Sequence, residues 1–268
     1  MSYQRISVEK AGGAAVVTLN RPEKHNALDM LFFREFGPYI DALKEDADVR
    51  AIIITGAGRS FCAGIDFADL AQAVGDPAAM TQSRPGLSRP FGLLQDVPGS
   101  LRSCHKPTIA AVNGFASGMG MSLICLCDYR IASEQASFAP GFVNLGLAGE
   151  LGITQLLPRV VGLTAGLKFL SLGETRDAGW AEKCGLVSEV VPPECLMDAA
   201  RDLATRLAQM PPIALEMVKQ LVYQGLKADF ELQLRSEAYA ASLLLQTEDC
   251  QEGMRAALEK RPPVFKGR

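Results

Sequence analysis

Thr108-Ile109-Ala110-Ala111-Val112-Asn113-Gly114-Phe115-Ala116-Ser117-Gly118-Met119-Gly120 carries the decisive pattern of the chain. An unbroken apolar run reads as a strand covered on both faces, the Asn-Gly pair ends it, and a glycine-containing turn opens a helix-like run from about Gly118 to Cys127. The same succession occurs upstream. Arg50 to Thr55 (RAIIIT) reads as a strand, Gly56-Ala57-Gly58 breaks it, and Ser60-Phe61-Cys62-Ala63-Gly64-Ile65-Asp66 forms a second turn. Helix N-termini leave backbone N–H groups without partners, so both turns can receive an anion, although ordinary strand-to-helix punctuation looks the same. Neither turn fits G-x-G-x-x-G or places a lysine after the last glycine as a P-loop does, which argues against dinucleotide and nucleoside-triphosphate sites.

Outward from these turns, Ala14 to Leu19 reads as a further strand, and Leu28 to Leu43 has apolar residues at helical spacing. Strands alternating with helices predict an α/β core over residues 1–195. Between Gly75 and Gly99 the pattern fails, and Pro77, Pro85, Pro90 and Pro98 predict a long loop or lid. Residues 196–268 read as a helical cover or oligomerisation region. One stripe runs through Leu196, Ala200, Leu203 and Leu207, and two more helical runs follow Pro211-Pro212, to about Gly225 and from Phe230 to Leu245.

The chain has 268 residues, 48% of them hydrophobic, and a formal charge of -3. That balance excludes a nucleic-acid binder with a basic stripe. Seven cysteines lack metal-ligand spacing and read as free thiols, so no metal site is expected. No apolar stretch approaches the roughly 20 residues that span a bilayer, and the first residues lack a signal-peptide run. A cytoplasmic protein without membrane association is the expectation.

Several ordered blocks resemble the enoyl-CoA hydratase/isomerase (crotonase) superfamily. They are Asn20-Arg21-Pro22 with Asn26-Ala27-Leu28, Phe61 to Asp66, Lys106-Pro107 with Ala110 to Gly114, Cys127 to Ala132, Leu145-Gly146-Leu147, Leu157-Pro158-Arg159, Gly185-Leu186-Val187, Leu258 to Arg261 and Pro263 to Arg268. The resemblance implies a spiral of ββα repeats with a helical C-terminal region, and a homotrimer or hexamer. It implies an acyl-CoA thioester as substrate, with CoA part of that substrate and no separate cofactor. It also implies an oxyanion hole made by the backbone N–H groups of Ile65 and Met119, with the substrate lying around Lys24, Ala27, Ala63, Gly64, Asp66, Gly118, Ser122 and Phe142. Met119 departs from the family's G-G-G run, so its side chain must point away from the thioester.

The two glutamates of the family's hydratases fall at Ser122 and Phe142, which cannot jointly activate water and protonate a carbanion. Glu150 stands where isomerase branches carry their acid, and one carboxylate suffices to move a proton from C2 to C4 of a 3-enoyl thioester. Phe142, Leu147 and Leu151 would form its apolar surround and raise its pKa. The ordinary alternative is a solvated glutamate in the first turn of a helix. Asp66 is expected to cap a helix, Lys24 to meet a CoA phosphate or simply solvent, His25 to lie near the CoA moiety, and His105 at a strand entrance. Hydration with Ser122 and an ordered water, and acyl-CoA binding without turnover, remain open beside isomerisation.

Overall fold

The computed structural model describes residues 3–68 and 89–268, with the side chains of 89–95 outside that description. In chain order, strands β1 (Ile6–Ala11) and β2 (Ala14–Leu19) precede helix α1 (Met30–Glu45). Then come β3 (Ala51–Gly56), β4 (Ser60–Cys62) and α2 (Arg89–Arg102), and after them β5 (Thr108–Val112), β6 (Phe115–Ser117) and α3 (Met119–Leu126). Strands β7 (Tyr129–Ser133) and β8 (Ser137–Ala139) lead to α4 (Ile153–Val161) and α5 (Leu163–Leu172). Strand β9 (Arg176–Asp177), α6 (Ala178–Lys183) and β10 (Glu189–Val191) follow. The chain ends in α7 (Leu196–Ala208), α8 (Pro212–Gly225), α9 (Phe230–Leu244) and α10 (Glu248–Glu259).

Two sheets result. One has the order β1-β2-β3-β5-β7-β10, parallel except for the β1–β2 hairpin; the other has the order β4-β6-β8-β9, parallel except at β9. Strands β3, β5 and β7 each pass within a few residues into β4, β6 and β8 of the second sheet, and a helix follows each pair. This is the expected ββα spiral. The three-residue strands β4 and β6 lie inside segments whose glycines read as plain turns.

The apolar runs are continuous because the larger sheet is covered on both faces. Ile52, Ile54, Ala110 and Val112 pack with Phe32, Phe36 and Ile40 of α1, whereas Ala51, Ile53, Ile109 and Ala111 pack with Leu196, Ala200 and Ala204 of α7. Alternate residues of one strand thus enter different cores, as the period of two requires. The loop expected between Gly75 and Gly99 is corrected at its end. Residues 89–102 form α2 despite Pro98, which lies inside the helix, while the rest of that stretch lies outside the described residues. Pro90 falls in the first turn of α2, where a proline costs no hydrogen bond.

Among the described residues no helix is long and apolar enough to cross a membrane. None of their acidic, histidine and cysteine side chains cluster to hold a metal.

Candidate active site

Strand β4 runs out at Cys62, and the chain then pairs with the segment after the first short helical turn. Leu28 N–H donates to the Gly64 carbonyl (2.7 Å), and Asp66 N–H donates to the Leu28 carbonyl (2.8 Å). Leu28 thus engages the peptide groups on either side of Ile65. Neighbouring peptide groups on an extended chain point to opposite edges, so the Ile65 N–H faces the other way. It has no acceptor among the described residues. Met119, the first residue of α3 after the cap Gly118, likewise has an N–H that no intrahelical carbonyl can reach. These are the two N–H groups that the family resemblance implies as donors, and both are free of a backbone partner among the described residues.

Their turns touch. A Cβ built on Gly64 (φ +94°) would lie 3.0 Å from the Ser117 carbonyl oxygen and 3.5 Å from the Met119 nitrogen, so only glycine lets the two segments approach. A Cβ on Gly120 would lie 2.3 Å from the Cys62 oxygen, yet Met119 between these glycines keeps a side chain. That side chain is 1% exposed and belongs to the main core, which resolves the departure at this position. The Gly141 backbone packs on Gly118 from the other side, which brings the chain just before buried Phe142 against the same turn.

The flanking segment is held by charge and by one buried amide. Asn26, with φ +56°, donates from Nδ2 to the Ser60 carbonyl (2.7 Å) and the Ala57 carbonyl (2.9 Å), while its Oδ1 accepts from Arg21 N–H. The sequence placed it only within the Asn26-Ala27-Leu28 block that resembles the family and gave it no role of its own. Ala27 follows, its carbonyl accepting weakly from Arg21 at 3.4 Å. Asp66 accepts from Ala68 N–H (2.9 Å), as a helix cap does, and pairs with Arg21 at 2.8 Å. The Ala68 hydrogen bond, more than Arg21, holds its carboxyl below the usual range. Ala63 N–H donates to the His25 carbonyl (3.0 Å), while Lys24 is exposed on the short turn before it. The His25 ring meets Ser60 Oγ at 2.9 Å and Arg59 at 3.3 Å, and His105 stands just before β5.

Ser122 is fully buried one turn into α3, and its hydroxyl donates to the Glu150 carbonyl at 2.9 Å. The serine therefore ties the Glu150 loop to α3, the helix that begins at Met119. Glu150 is not in a first helical turn. It precedes α4 by three residues, through Leu151 (φ +54°) and the cap Gly152 (φ +85°), and its carbonyl accepts from Ile153 N–H. The carboxyl is half-buried, and burial alone pushes its pKa above the usual glutamate value. The expected surround is partly corrected. Leu151 lines the cleft at Glu150, together with Pro98, Leu126 and Leu156, but Leu147 is exposed and Phe142 is not among the lining residues.

A profile of the family described as enoyl-CoA hydratase/isomerase matches residues 9–268. The short-chain-enoyl-CoA hydratase of Clostridium acetobutylicum is 36% identical over 263 residues, covering 97% of each chain. The 2,3-dehydroadipyl-CoA hydratase of Escherichia coli is 37% identical over 264 residues, covering 98% of this chain and 99% of its own. The crystal structure of a putative enoyl-CoA hydratase from Streptomyces coelicolor superimposes with a TM-score of 0.91 at 35% identity, covering 100% of this chain and 96% of that one.

Proposed function

Because the chain belongs to the enoyl-CoA hydratase/isomerase family, we propose that this acyl-CoA enzyme shifts a double bond from C3 to C2 of an enoyl thioester. The Glu150 carboxylate takes a proton from C2, and the electron pair spreads into the C3=C4 bond and the thioester carbonyl. The resulting dienolate oxygen accepts from the Ile65 and Met119 N–H groups. The same carboxyl returns the proton at C4, leaving the double bond between C2 and C3. Donors preorganised in this way lower the barrier because they need no reorientation as charge develops. Ala63, Gly64, Asp66 and Gly118 shape the turns that hold the thioester, and Lys24 and Ala27 flank the CoA portion.

One observation carries this reading over hydration: the half-buried Glu150 sits on the loop that Ser122 ties to α3, the helix that begins at Met119, while the two positions of the family's hydratase glutamates are a buried serine and a buried phenylalanine. The Ser122 hydroxyl proton is moreover committed to the Glu150 carbonyl. The names of the relatives favour the second reading, hydration of a 2-enoyl thioester. Assaying a 3-enoyl-CoA and a 2-enoyl-CoA of equal length separates the two. We expect isomerisation of the first to be lost in Glu150→Gln, and full activity in that variant would remove Glu150 from the mechanism. Burial raises the carboxyl, and the base must be ionised, so the rate should climb with pH through a midpoint above that of an ordinary glutamate.

The exposed apolar side chains of the C-terminal helices, among them Phe230, Tyr239, Leu245 and Leu258, support a homotrimer or a dimer of trimers. Light scattering on the purified chain tests it, and a monomer at micromolar concentration would refute it.

A further inference from the structure

The cleft at Glu150 leads to a cation that has no carboxylate of its own. Its volume is about 630 Å³; Leu126, Leu151 and Leu156 give it apolar walls, and its two cations are the half-buried Arg102 and the exposed, solvated Lys227. Arg102 and Leu156 also line an adjoining cavity of about 290 Å³, so the two spaces meet at this pair. The other cations of the second cavity are engaged. Arg130 donates to the carbonyls of Leu186 and Cys127, Arg159 to the Gln155 carbonyl, and Lys219 pairs with Asp128 at 2.6 Å. Arg102 is half-buried, and among the described residues it has neither an ion pair nor a hydrogen bond from its guanidinium. Its guanidinium lies over the Tyr223 ring, 3.4 Å from the centroid. Stacking of this kind fixes the guanidinium and leaves its in-plane N–H donors free for a bidentate acceptor.

We infer that Arg102 is a specificity residue that receives a carboxylate at the far end of the acyl group, which makes ω-carboxylated acyl thioesters the preferred substrate class. The chain that presents its C2–C4 atoms to Glu150 runs past Leu126, Leu151 and Leu156 and ends on the guanidinium. A half-buried cation repays its lost hydration best by a charge-assisted, two-point contact with a carboxylate. A hydrocarbon terminus gives it none. This inference rests on the reading of Glu150 as the acid–base residue, because that reading decides which end of the acyl group lies at the hole.

Calorimetric titration of the full chain with saturated CoA thioesters tests the inference without turnover. Matched pairs of six, eight and ten carbons are compared, one member ending in a carboxylate and the other in a methyl group. At one length or more the carboxylated thioester should bind at least tenfold more tightly; Arg102→Leu should abolish that preference and Arg102→Lys should retain part of it. Equal or tighter binding of the methyl-ended member at every length would overturn the inference, as would an undiminished preference in Arg102→Leu. The wild-type comparison requires no variant to fold. Because nothing is turned over, loss of the preference and failure of the Glu150 assignment are read separately.

Discussion

Replacing Gly64 by alanine tests the proposed oxyanion hole where its two turns touch. The residue has φ +94°, where a side chain is strained by about 1–3 kcal/mol. The added methyl would also stand 3.0 Å from the Ser117 carbonyl oxygen, tighter than nearly all such contacts, so the Gly118–Met119 turn must retreat by a few tenths of an ångström. It would stand 3.5 Å from the Met119 nitrogen, the donor itself. Displacing or screening one preorganised donor typically costs about 10²–10³ in rate. Gly12 supplies the control: its φ is +58°, but nothing lies within 4 Å of a Cβ there, so Gly12→Ala carries backbone strain of about 1–2 kcal/mol and no contact with the hole. The assay is exchange of the C2 proton of a saturated acyl-CoA in deuterated water, followed by NMR. It reads enolate formation whether the enzyme isomerises or hydrates. Gly64→Ala should lose about two orders of magnitude in exchange while remaining folded, and Gly12→Ala should exchange nearly as the wild type does. A folded Gly64→Ala protein exchanging at the wild-type rate would refute the hole, and equal losses in both variants would assign the effect to destabilisation.

Glu150→Gln should be more stable than the wild type at neutral pH: a carboxyl raised by burial stabilises the fold only below its unfolded pKa, and that stability is gone once pH exceeds the folded value. Denaturation at acid and neutral pH checks the sign, and a variant less stable at neutral pH contradicts it. For Asp66 the sign is opposite; its lowered carboxyl stabilises above the unfolded value, and the wild type's advantage over Asp66→Asn should vanish as pH falls through the folded one. Thiol labelling of the native protein at mildly alkaline pH should reach exposed Cys195 and spare Cys62, Cys125 and Cys127, each buried and pushed up to about 12; rapid labelling of those three would show the core is open. Asp128→Ala should cost about 3–5 kcal/mol, because it strips a near-buried Lys219 of its partner and removes the acceptor of Tyr223 and of Thr108; an unchanged denaturation midpoint would mean that α8 is held without it.

The strands of the larger sheet were legible because they are buried on both faces. β2 and β5 fall on the residues whose apolar runs predict them, and β3 is displaced by one. The helical pattern from Leu28 misleads by two residues for a physical reason. Asp29 caps α1 through a hydrogen bond from Phe32 N–H, which frees Leu28 to pair with the Ile65 strand. Helix α7 follows its stripe, and α8 and α9 fall within the helical runs read after Pro211-Pro212, while α10, polar in its first turn, lies in the C-terminal region read as helical without a run of its own. The three-residue strands of the second sheet are too short to show a period, and β6 is concealed between two glycines.

The site divides along the same line. Glycines at 64, 118 and 120 announce two tight turns, but no periodicity states that the turns touch. Their contact depends on the second sheet, in which β4 lies beside β6 and each strand delivers its following turn to the same edge. Once they are neighbours, the free donors follow from the two kinds of backbone that meet there: an extended segment paired along one edge leaves Ile65 N–H on the other, and a helix start leaves Met119 N–H without a carbonyl. That is why a methionine can stand in a glycine run. The proposed chemistry needs the amide and a way for the side chain to leave, and the first turn of a buried helix supplies both. Arg102 was invisible for the complementary reason. Its meaning depends on which carboxylates fail to reach it, and a sequence records the charges present but not the distances between them.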